Sequence, residues 1–258
     1  MITRHPSCCK DPAGTIYITD NDDEPVLSLG SVTPSPVPED AGTAQVPVTI
    51  VGRSSREVTA YYRTQNGTAV AGEDYTAVVN STLTWSPLDT TAKTIRLTIL
   101  DDELYEDTNE TFTVSLTSAD NGEVSSSSSV ATITIENDDP LPVISASISS
   151  GDVDEDSGEM TIEVSLDRAS TQPITVNYTT IADSAGAHPA LVGTDFVSKT
   201  GALSWSARNN TPKIITINIV DDNIYEADET FLFRLHTPTN ATFADSSTAP
   251  ADTVVGNP

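Results

Sequence analysis

Apolar and polar residues alternate along most of this chain, and the alternation has a period of two. Clear examples are Thr94–Ile99, Phe112–Leu116 and Ala131–Ile135, and the pattern returns at Ile215–Ile219 and Phe231–Leu235. A period of two with one apolar face is typical of an antiparallel sheet that is buried on one side. Patterns typical of helices are scarce. The sequence therefore predicts an all-β protein.

Seven strands are predicted in the first half of the chain. They are Val26–Leu29, Ala44–Val51, Val58–Thr64, Thr82–Trp85, Thr94–Ile99, Thr111–Leu116 and Val130–Ile135. Seven short strands in about 115 residues indicate an immunoglobulin-like sandwich of two antiparallel sheets. Trp85 and its counterpart Trp205 are predicted to lie in the cores of two such sandwiches.

Several short segments occur twice, about 120 residues apart. The pairs are Glu39-Asp-Ala-Gly42 with Glu155-Asp-Ser-Gly158, Gly72-Glu-Asp-Tyr75 with Gly193-Thr-Asp-Phe196, and Leu83-Thr-Trp85 with Leu203-Ser-Trp205. Self-similarity at a fixed period predicts tandem domains, here residues 24–139 and 140–258. Thr15–Asp23 also matches Thr132–Asp139, the end of the first unit. Residues 1–23 are therefore predicted to be the final strand of a truncated upstream repeat, in a fragment of a longer array.

The chain is strongly acidic, with 38 acidic and 12 basic residues and a net charge of -26. This balance argues against nucleic acid or an anionic membrane as a partner. No apolar run approaches the ~18 residues that a membrane helix needs, and the N-terminus lacks the apolar segment of a signal peptide. Cys8 and Cys9 are adjacent and lie outside both units, so they offer neither a disulfide framework nor metal-ligand spacing.

The acidic residues cluster at equivalent places in the two units, most densely in Leu100–Phe112 and Val220–Phe231. If each strand reverses the direction of the one before, the first, third and fifth loops and the chain exit share one end of the sandwich. We call this the acidic end. In the first unit it gathers Glu39, Asp40, Glu73, Asp74, Asp101, Asp102, Glu106, Glu110, Asp138 and Asp139. The opposite end carries Gly52–Arg56 and the serine run 125–129.

Carboxylates packed together repel one another, by roughly 3 kcal/mol for a pair about 5 Å apart at an effective dielectric near 20. Such a cluster needs a neutralising partner, and a hard divalent cation with oxygen ligands fits. Ca²⁺ takes 6–8 oxygen ligands, whereas Mg²⁺ requires a smaller octahedral cage and Zn²⁺ prefers His and Cys. The sequence therefore predicts Ca²⁺ sites.

These motifs resemble Calx-beta domains, which were first recognised in sodium/calcium exchangers and are common in large cell-surface proteins. The resemblance rests on Gly67–Tyr75, on the Asp-Asp…Tyr-Glu…Glu-Thr-Phe segments and on Asn137–Asp139, and it covers nearly the whole chain. It implies immunoglobulin-like sandwiches that bind Ca²⁺ in loops at one end. Carried over residue by residue, it implies first-unit ligands at Glu39, Asp74, Asp101, Asp102, Glu106, Asp138 and Asp139, with Glu110 either coordinating or anchoring the loop.

For the second unit the resemblance implies ligands at Glu155, Asp195, Asp221, Asp222, Glu226 and Glu229. This unit departs from the family pattern in two places. No Asp-Asp pair follows Asn257, so the last strand is atypical or truncated, and the Gly-Thr-Ala motif is replaced by the longer segment 182–194. The second site is therefore predicted to be weaker or to hold fewer ions than the first.

The function predicted from these features is a calcium-binding structural module, not an enzyme. The first acidic end adjoins a linker restricted by Pro140 and Pro142, so bound Ca²⁺ is expected to stiffen the junction. The expected setting is a larger cell-surface or secreted protein, in contact with neighbouring repeats and with other cell-surface proteins or glycans. Six Asn-x-Ser/Thr sequons are compatible with that location.

Two alternatives remain open from sequence. One is the regulatory Ca²⁺-sensor region of a membrane transporter, which has the same site chemistry. The other is a glycoside hydrolase that uses a pair of carboxylates, Asp101/Glu106 or Asp221/Glu226. A solvated carboxylate cluster is poorly suited to acid catalysis, and the three histidines share no common pattern.

Overall fold

The computed structural model describes residues 19–148, 153–244 and 253–255. The first unit contains β1 (Val26–Leu29), β2 (Val37–Pro38), β3 (Thr43–Val51), β4 (Val58–Asn66), β5 (Ser81–Trp85), β6 (Lys93–Thr98), β7 (Glu110–Asp120), β8 (Glu123–Val124) and β9 (Val130–Glu136). All seven strands predicted for this unit are present. The predicted strand in the first 23 residues lies mainly outside the described residues.

The second unit repeats this arrangement. Its strands are β10 (Val143–Ile148), β11 (Glu159–Leu166), β12 (Ile174–Ala182), β13 (Thr200–Trp205), β14 (Lys213–Asn218), β15 (Phe231–Thr239), β16 (Thr242–Phe243) and β17 (Thr253–Val255). One short 3₁₀ turn opens each acidic end, at Glu39–Ala41 and Glu155–Ser157. The fold class is the predicted one: two immunoglobulin-like β-sandwiches in tandem.

Each unit packs two sheets face to face. In the first unit the order is β6-β3-β1-β8 in one sheet and β2-β9-β7-β4-β5 in the other. The second unit has β14-β11-β10-β16 and β13-β12-β15-β17. Most neighbouring strands are antiparallel, but β2 pairs parallel with β9 and β8 pairs parallel with β1. These two-residue strands were missed in sequence because such short segments show no periodicity.

The two hydrophobic cores share no residue. One is built from residues between Leu27 and Ile135, and the other from residues between Ile144 and Phe243. Trp85 and Trp205 lie at equivalent places in them, 0% and 1% exposed. Each indole N–H donates to a backbone carbonyl six residues on, at 2.7 and 2.8 Å. The predicted core role of both tryptophans matches this burial, and each unit has an apolar core of its own.

Three loops of each unit are tied together at the acidic end by equivalent backbone hydrogen bonds. Ile99 N–H donates to the Gly42 carbonyl, and Leu100 N–H donates to the Asp74 carbonyl. In the second unit Ile219 and Val220 make the same bonds to Gly158 and Asp195. Gly42 and Gly158 adopt φ of 66° and 70°, where a side chain would be strained. The repeated glycine thus allows the loop before β3 to turn back toward the end of β6, and the loop before β11 to turn back toward the end of β14.

Within the described part of the chain, no helix has the length and apolar character required to cross a membrane.

Candidate metal centre

Two stacked aromatic rings hold the centre of the first acidic end in place. The rings of Tyr75 and Phe112 are nearly parallel, with centroids 3.8 Å apart, and both are buried. Tyr75 directly follows Asp74, and Phe112 lies two residues after Glu110. The Tyr75 hydroxyl also donates to Asn66 Oδ1 at 2.6 Å. The stack therefore brings two acidic residues from different loops together over the core.

Three carboxylates converge above this stack. Single oxygens of Asp74, Glu106 and Glu110 all lie within 4.8 Å of one another. Two oxygens bound to one Ca²⁺ at 2.3–2.6 Å are separated by at most about 5 Å, so these spacings are compatible with a shared ion. Asp74 is oriented because one of its oxygens accepts a hydrogen bond from the Val70 N–H. This group is the best-defined part of the candidate site.

Glu39 approaches the same region from the 3₁₀ turn and is only 3% exposed. Burial, followed by the negative charges of Asp102, Glu106, Asp138 and Asp139, raises the pKa of Glu39 to about 8. Burial and the charges of these neighbours both penalise its ionised form, so the acid stays protonated at neutral pH unless a cation compensates.

The pKa values of the central acids are raised for similar reasons. Burial, a hydrogen bond to Asp74 and the charge of Glu106 raise the pKa of Glu110 to about 7. Burial and the charges of Asp74 and Asp102 raise the pKa of Glu106, although Arg208 opposes this shift. The central acids therefore lie close enough to raise one another's pKa values, and the only cation among the causes of these shifts is Arg208 of the second unit.

The closing pair of acids lies beside the 3₁₀ turn. The Asp40 N–H donates to Asp138 Oδ2 at 3.3 Å, and the charge of Asp138 raises the pKa of Asp40. Asn137 links this exit to the fifth loop, because its Oδ1 accepts from the Glu106 N–H at 3.3 Å. Asp101 and Asp102 are exposed, outside the tight group. The predicted ligands therefore share one end, with Asp101 and Asp102 at its rim.

Several buried carboxylate oxygens in this end have no hydrogen-bond partner among the described residues. They are Glu39 Oε2, Glu110 Oε2 and Asp139 Oδ2. A buried polar atom without a partner costs about 1–3 kcal/mol, and more when it is charged. All three belong to predicted ligands, and all are hard oxygen donors of the kind that Ca²⁺ takes. The residues present therefore fit this cation.

The second acidic end repeats the central group in a more exposed form. Single oxygens of Glu155, Asp195 and Glu226 lie within 4.8 Å of one another, but Glu226 is exposed. The rings of Phe196 and Phe231 stack with centroids 4.2 Å apart. Partial desolvation of its carboxylate and a hydrogen bond to Asp195 raise the pKa of Glu229 to about 7, although the residue as a whole is exposed.

The second acidic end has two features that the sequence did not predict, a cavity and a hydrogen bond within the loop that begins at Asp221. A cavity of about 340 Å³ lies beneath the carboxylates, with Met160, Ile162 and Phe233 in its wall. Asp222 Oδ1 accepts from the Ile224 N–H, while Asp221 is exposed and outside the tight group. The residues after Val255, where a closing pair would follow, lie outside the described part of the chain.

Basic residues of the second unit reach the first acidic end, and sequence reasoning did not predict this. Arg168 Nη1 contacts Asp139 Oδ1 at 2.7 Å, and Arg208 Nη2 contacts Glu73 Oε2 at 2.9 Å. The first pair is the more buried, with side chains 22% and 12% exposed, against 53% and 49% for the second. The signal was in the sequence: the topology that gathers acids at one end places these arginines at the other.

The backbone of the loop between β6 and β7 also contacts the second unit. The Tyr105 N–H donates to the Ala169 carbonyl at 3.2 Å, and the Tyr105 carbonyl accepts from the Thr171 N–H at 3.0 Å. This pair forms a parallel bridge centred on Ser170, which is 1% exposed. The first acidic end is therefore covered in part by the second unit.

Tandem β-sandwiches with acidic loops gathered at one end of each define an all-β repeat module. The sequence matches the family model described as "Calx-beta domain" over residues 20–139 and again over residues 141–255. The chain therefore belongs to the Calx-beta domain family, which confirms the resemblance found in the sequence.

Relatives of the chain include two kinds of larger protein. Sodium/calcium exchanger 1 of Bos taurus is 30% identical over 220 residues, which cover 78% of this chain and 22% of the exchanger. FRAS1-related extracellular matrix protein 2 of Homo sapiens is 29% identical over 257 residues, which cover 91% of this chain and 8% of that protein. The chain thus spans less than a quarter of the length of these relatives.

A solved structure, "Crystal structure of CBD12 from CALX1.2", is 24% identical with a TM-score of 0.38, and the match covers 82% of this chain and 79% of that one.

Proposed function

We propose that the chain is a non-catalytic calcium-binding module. In the first unit the ion is held by the buried carboxylate of Asp74 and the partly buried carboxylates of Glu106 and Glu110, together with Glu39 and the pair Asp138 and Asp139. The observation that carries this proposal is the set of buried carboxylate oxygens without partners, at Glu39, Glu110 and Asp139. A divalent cation would supply oxygen-seeking positive charge to these atoms, beyond what the single ion pair of Asp139 with Arg168 provides.

In the second unit the ligands are Glu155, Asp195, Glu226 and Glu229, with Asp221 and Asp222 at the rim. The exposure of Glu226 supports a weaker site than the first, because a solvated carboxylate gains less from neutralisation than a buried one. No second-unit oxygen within the described ranges is both buried and unpartnered.

Isothermal titration calorimetry of the full chain with Ca²⁺ tests this function. We expect a tighter class of sites that is lost in Glu110→Gln and retained in Glu229→Gln. Mg²⁺ should bind at least about tenfold more weakly, because it requires a smaller octahedral shell. Ca²⁺ binding that is unchanged by Glu110→Gln would contradict the proposed first site.

We further propose that the ion stiffens the junction between the units. Asp138 and Asp139 stand directly before the linker Pro140–Pro142, and Arg168 of the second unit contacts Asp139. Neutralising the acidic end removes the repulsion among the loops that carry these contacts. Small-angle scattering with Ca²⁺ and with chelator should show a narrower distribution of dimensions when Ca²⁺ is bound; equal distributions would count against a stiffened junction.

The larger protein has two candidate forms. The structural module of a cell-surface or secreted protein is our first proposal, supported by the 91% coverage in the match to the extracellular matrix relative. In that setting neighbouring repeats, other cell-surface proteins or glycans are the partners. The second candidate is a regulatory calcium sensor of a membrane exchanger, supported by the 30% identity to sodium/calcium exchanger 1.

The calcium affinity separates these two forms. Extracellular calcium modules bind with dissociation constants of about 10⁻⁴–10⁻³ M, whereas cytosolic sensors bind at about 10⁻⁷–10⁻⁵ M. A constant in the first range for the tighter site would support the extracellular module. A constant in the second range would favour the sensor.

A further inference from the structure

We propose that the acidic end of the second unit is a docking surface for another β-sandwich that presents an arginine-bearing loop, of the kind formed by Arg168–Thr171. The proposal rests on an interface that the structure already contains at the equivalent end of the first unit. It concerns a protein partner and does not depend on calcium binding.

The existing interface shows what such a loop contacts. Its backbone makes two hydrogen bonds with Tyr105: the Tyr105 N–H donates to the Ala169 carbonyl, and the Thr171 N–H donates to the Tyr105 carbonyl. Arg168 adds an ion pair beside this bridge. The side chains of Leu104 and Tyr105 are partly buried. A short parallel bridge and an arginine ion pair, beside two partly buried apolar side chains, therefore make up the docking mode.

The second unit presents the same backbone element without a partner. The Leu104 N–H donates to Asp102 Oδ1 at 2.6 Å, and the Ile224 N–H donates to Asp222 Oδ1 at the same distance. The two loops thus share this local turn, which places Tyr225 as Tyr105 is placed. Across residues 153–244 and the other described ranges, no group hydrogen-bonds to the backbone of Tyr225.

Exposure at this position is extreme. Ile224 is 64% exposed and Tyr225 is 101% exposed, whereas the equivalent pair in the first unit is covered. On the neighbouring third loop, Leu191 and Val192 are 58% and 55% exposed. Exposed apolar side chains rimmed by polar groups mark interaction surfaces, and tyrosine is favoured in them because its ring is amphipathic.

The charge of the surface selects the partner. Segments 153–158, 182–197 and 221–230 contain many carboxylates and no lysine or arginine. Arginine suits such a surface because its guanidinium pairs with carboxylates and its flat face packs on aromatic rings. The opposite end of the same fold, where Arg168 and Arg208 lie, has this chemistry.

One difference sets the expected strength. Residues 251–258 contain no counterpart of Asp139, the partner of Arg168, and Thr194 stands where the first unit has Glu73, the partner of Arg208. A docked arginine would therefore face the carboxylates of Asp221, Asp222 or Glu226 instead. In the assay below the partner is a separate molecule, so association is bimolecular. We therefore expect weak binding that falls as salt is raised.

The test uses the second unit as the probe. Residues 140–258 contain a core that shares no residue with the first, and Trp205 fluorescence reports whether the isolated unit is folded. The probe carries Ile224→Ser and Tyr225→Ser, so that only its arginine loop is available. The full chain has its own loop engaged and offers only its second acidic end. Sedimentation velocity in chelator should show a 1:1 complex of the two.

Matched variants decide whether the proposed surfaces are in contact. Ile224→Ser with Tyr225→Ser in the full chain, and separately Arg168→Glu in the probe, should each weaken binding at least about tenfold. Leu88→Ser in the full chain is the control, because Leu88 is 61% exposed on a loop at the other end of the first unit. Absence of a complex at about 1 mM, or binding that survives the double variant, would overturn the proposal.

Discussion

Glu39 and Glu155 occupy equivalent positions in the two units, yet their surroundings differ. Glu39 is buried beside four other acids, and burial and these charges raise its pKa to about 8. Glu155 has similar acidic neighbours, and burial followed by the charge of Asp222 raises its pKa, but the side chain is only partly buried. Nearly the same residues therefore form a buried acidic site in the first unit and a more solvent-exposed one in the second.

The two acidic ends also differ in what packs against them. The second unit covers the first acidic end through Arg168 and the bridge to Tyr105, whereas Tyr225 is uncovered. Packing against a neighbour excludes water, and the interactions among the remaining charges become stronger. The comparison indicates that tandem order, as well as the ligand motif, sets the properties of a site in this fold.

The largest expected contrast lies in the aromatic stacks. Phe112→Ala should cost the first unit about 3–5 kcal/mol of unfolding free energy, because a fully buried ring is removed, and Phe231→Ala should cost the second unit about half as much. The chain has two tryptophans, one in each core, so urea unfolding can be followed unit by unit when the other is replaced by Phe. Equal losses would show that the second stack is as important as the first.

The next contrast concerns the central aspartates. Asp74→Asn should lower the calcium affinity of the first site about 100-fold, and Asp195→Asn should lower that of the second about tenfold. The side-chain oxygen of asparagine can still accept the hydrogen bond that Asp74 accepts from the Val70 N–H and that Asp195 accepts from the Leu191 N–H, so the fold is retained. Calorimetric titration measures both constants. A tighter second site in the wild-type chain would refute the order proposed here.

Stability without calcium should depend on pH more strongly in the first unit. The raised pKa of Glu39 means that the folded state binds a proton that the unfolded chain releases near the ordinary glutamate pKa of 4.5. This stabilisation is complete below the unfolded pKa and is lost as pH rises through about 8. In chelator we expect the melting temperature of the first unit to fall by at least about 5 °C between pH 5 and pH 8.

Glu39→Gln should remove most of that fall, because glutamine cannot ionise. Glu155→Gln is the matched variant and should change the second unit's melting temperature less, since Glu155 is more exposed. Trp85 and Trp205 fluorescence separate the two transitions. An unchanged pH profile in Glu39→Gln would show that another group of the acidic end carries the dependence.

The smallest contrast is between the two arginines at the junction. Arg168→Ala should weaken the contact between the units by about 1 kcal/mol, and Arg208→Ala by less, because exposed ion pairs contribute about 0–1 kcal/mol. Scattering in chelator should show a broader distribution of dimensions for the first variant only. If the distribution of dimensions broadened equally in both variants, the burial of an ion pair would not determine how much it contributes to the contact between the units.

Much of the fold was readable from the sequence. Seven strands of the first unit follow from the period-two pattern, and the glycines, tryptophans and acids of the second unit follow from the repeat. The extension of β7 to Asp120 was missed, because Ser118 and Ala119 break the apolar alternation and the strand is held by pairing with β4. The shared end of the acidic loops was predicted because antiparallel topology alone determines it.

The site was less predictable than the fold. Sequence motifs assign the same role to Glu106 and Glu226, although one is partly buried and the other exposed. That difference depends on tertiary packing, which no local motif encodes. Arg168 lies in a loop without a repeated pattern, and its contact with Asp139 becomes evident only when the two ends of successive sandwiches are placed against each other.

The parallel pairing of β2 with β9 has a mechanical consequence. Val37 and Pro38 lie beside Ile135 and Glu136, so a force that stretches the chain pulls these two strands in opposite directions along their length. Hydrogen bonds loaded in this way share the tension and do not open one at a time. Glu39 directly follows β2 and Asp138 lies two residues after β9, so an ion bound between them would join the ends of these two strands. Calcium would then set the force at which the first unit ruptures, which single-molecule pulling with and without chelator can measure.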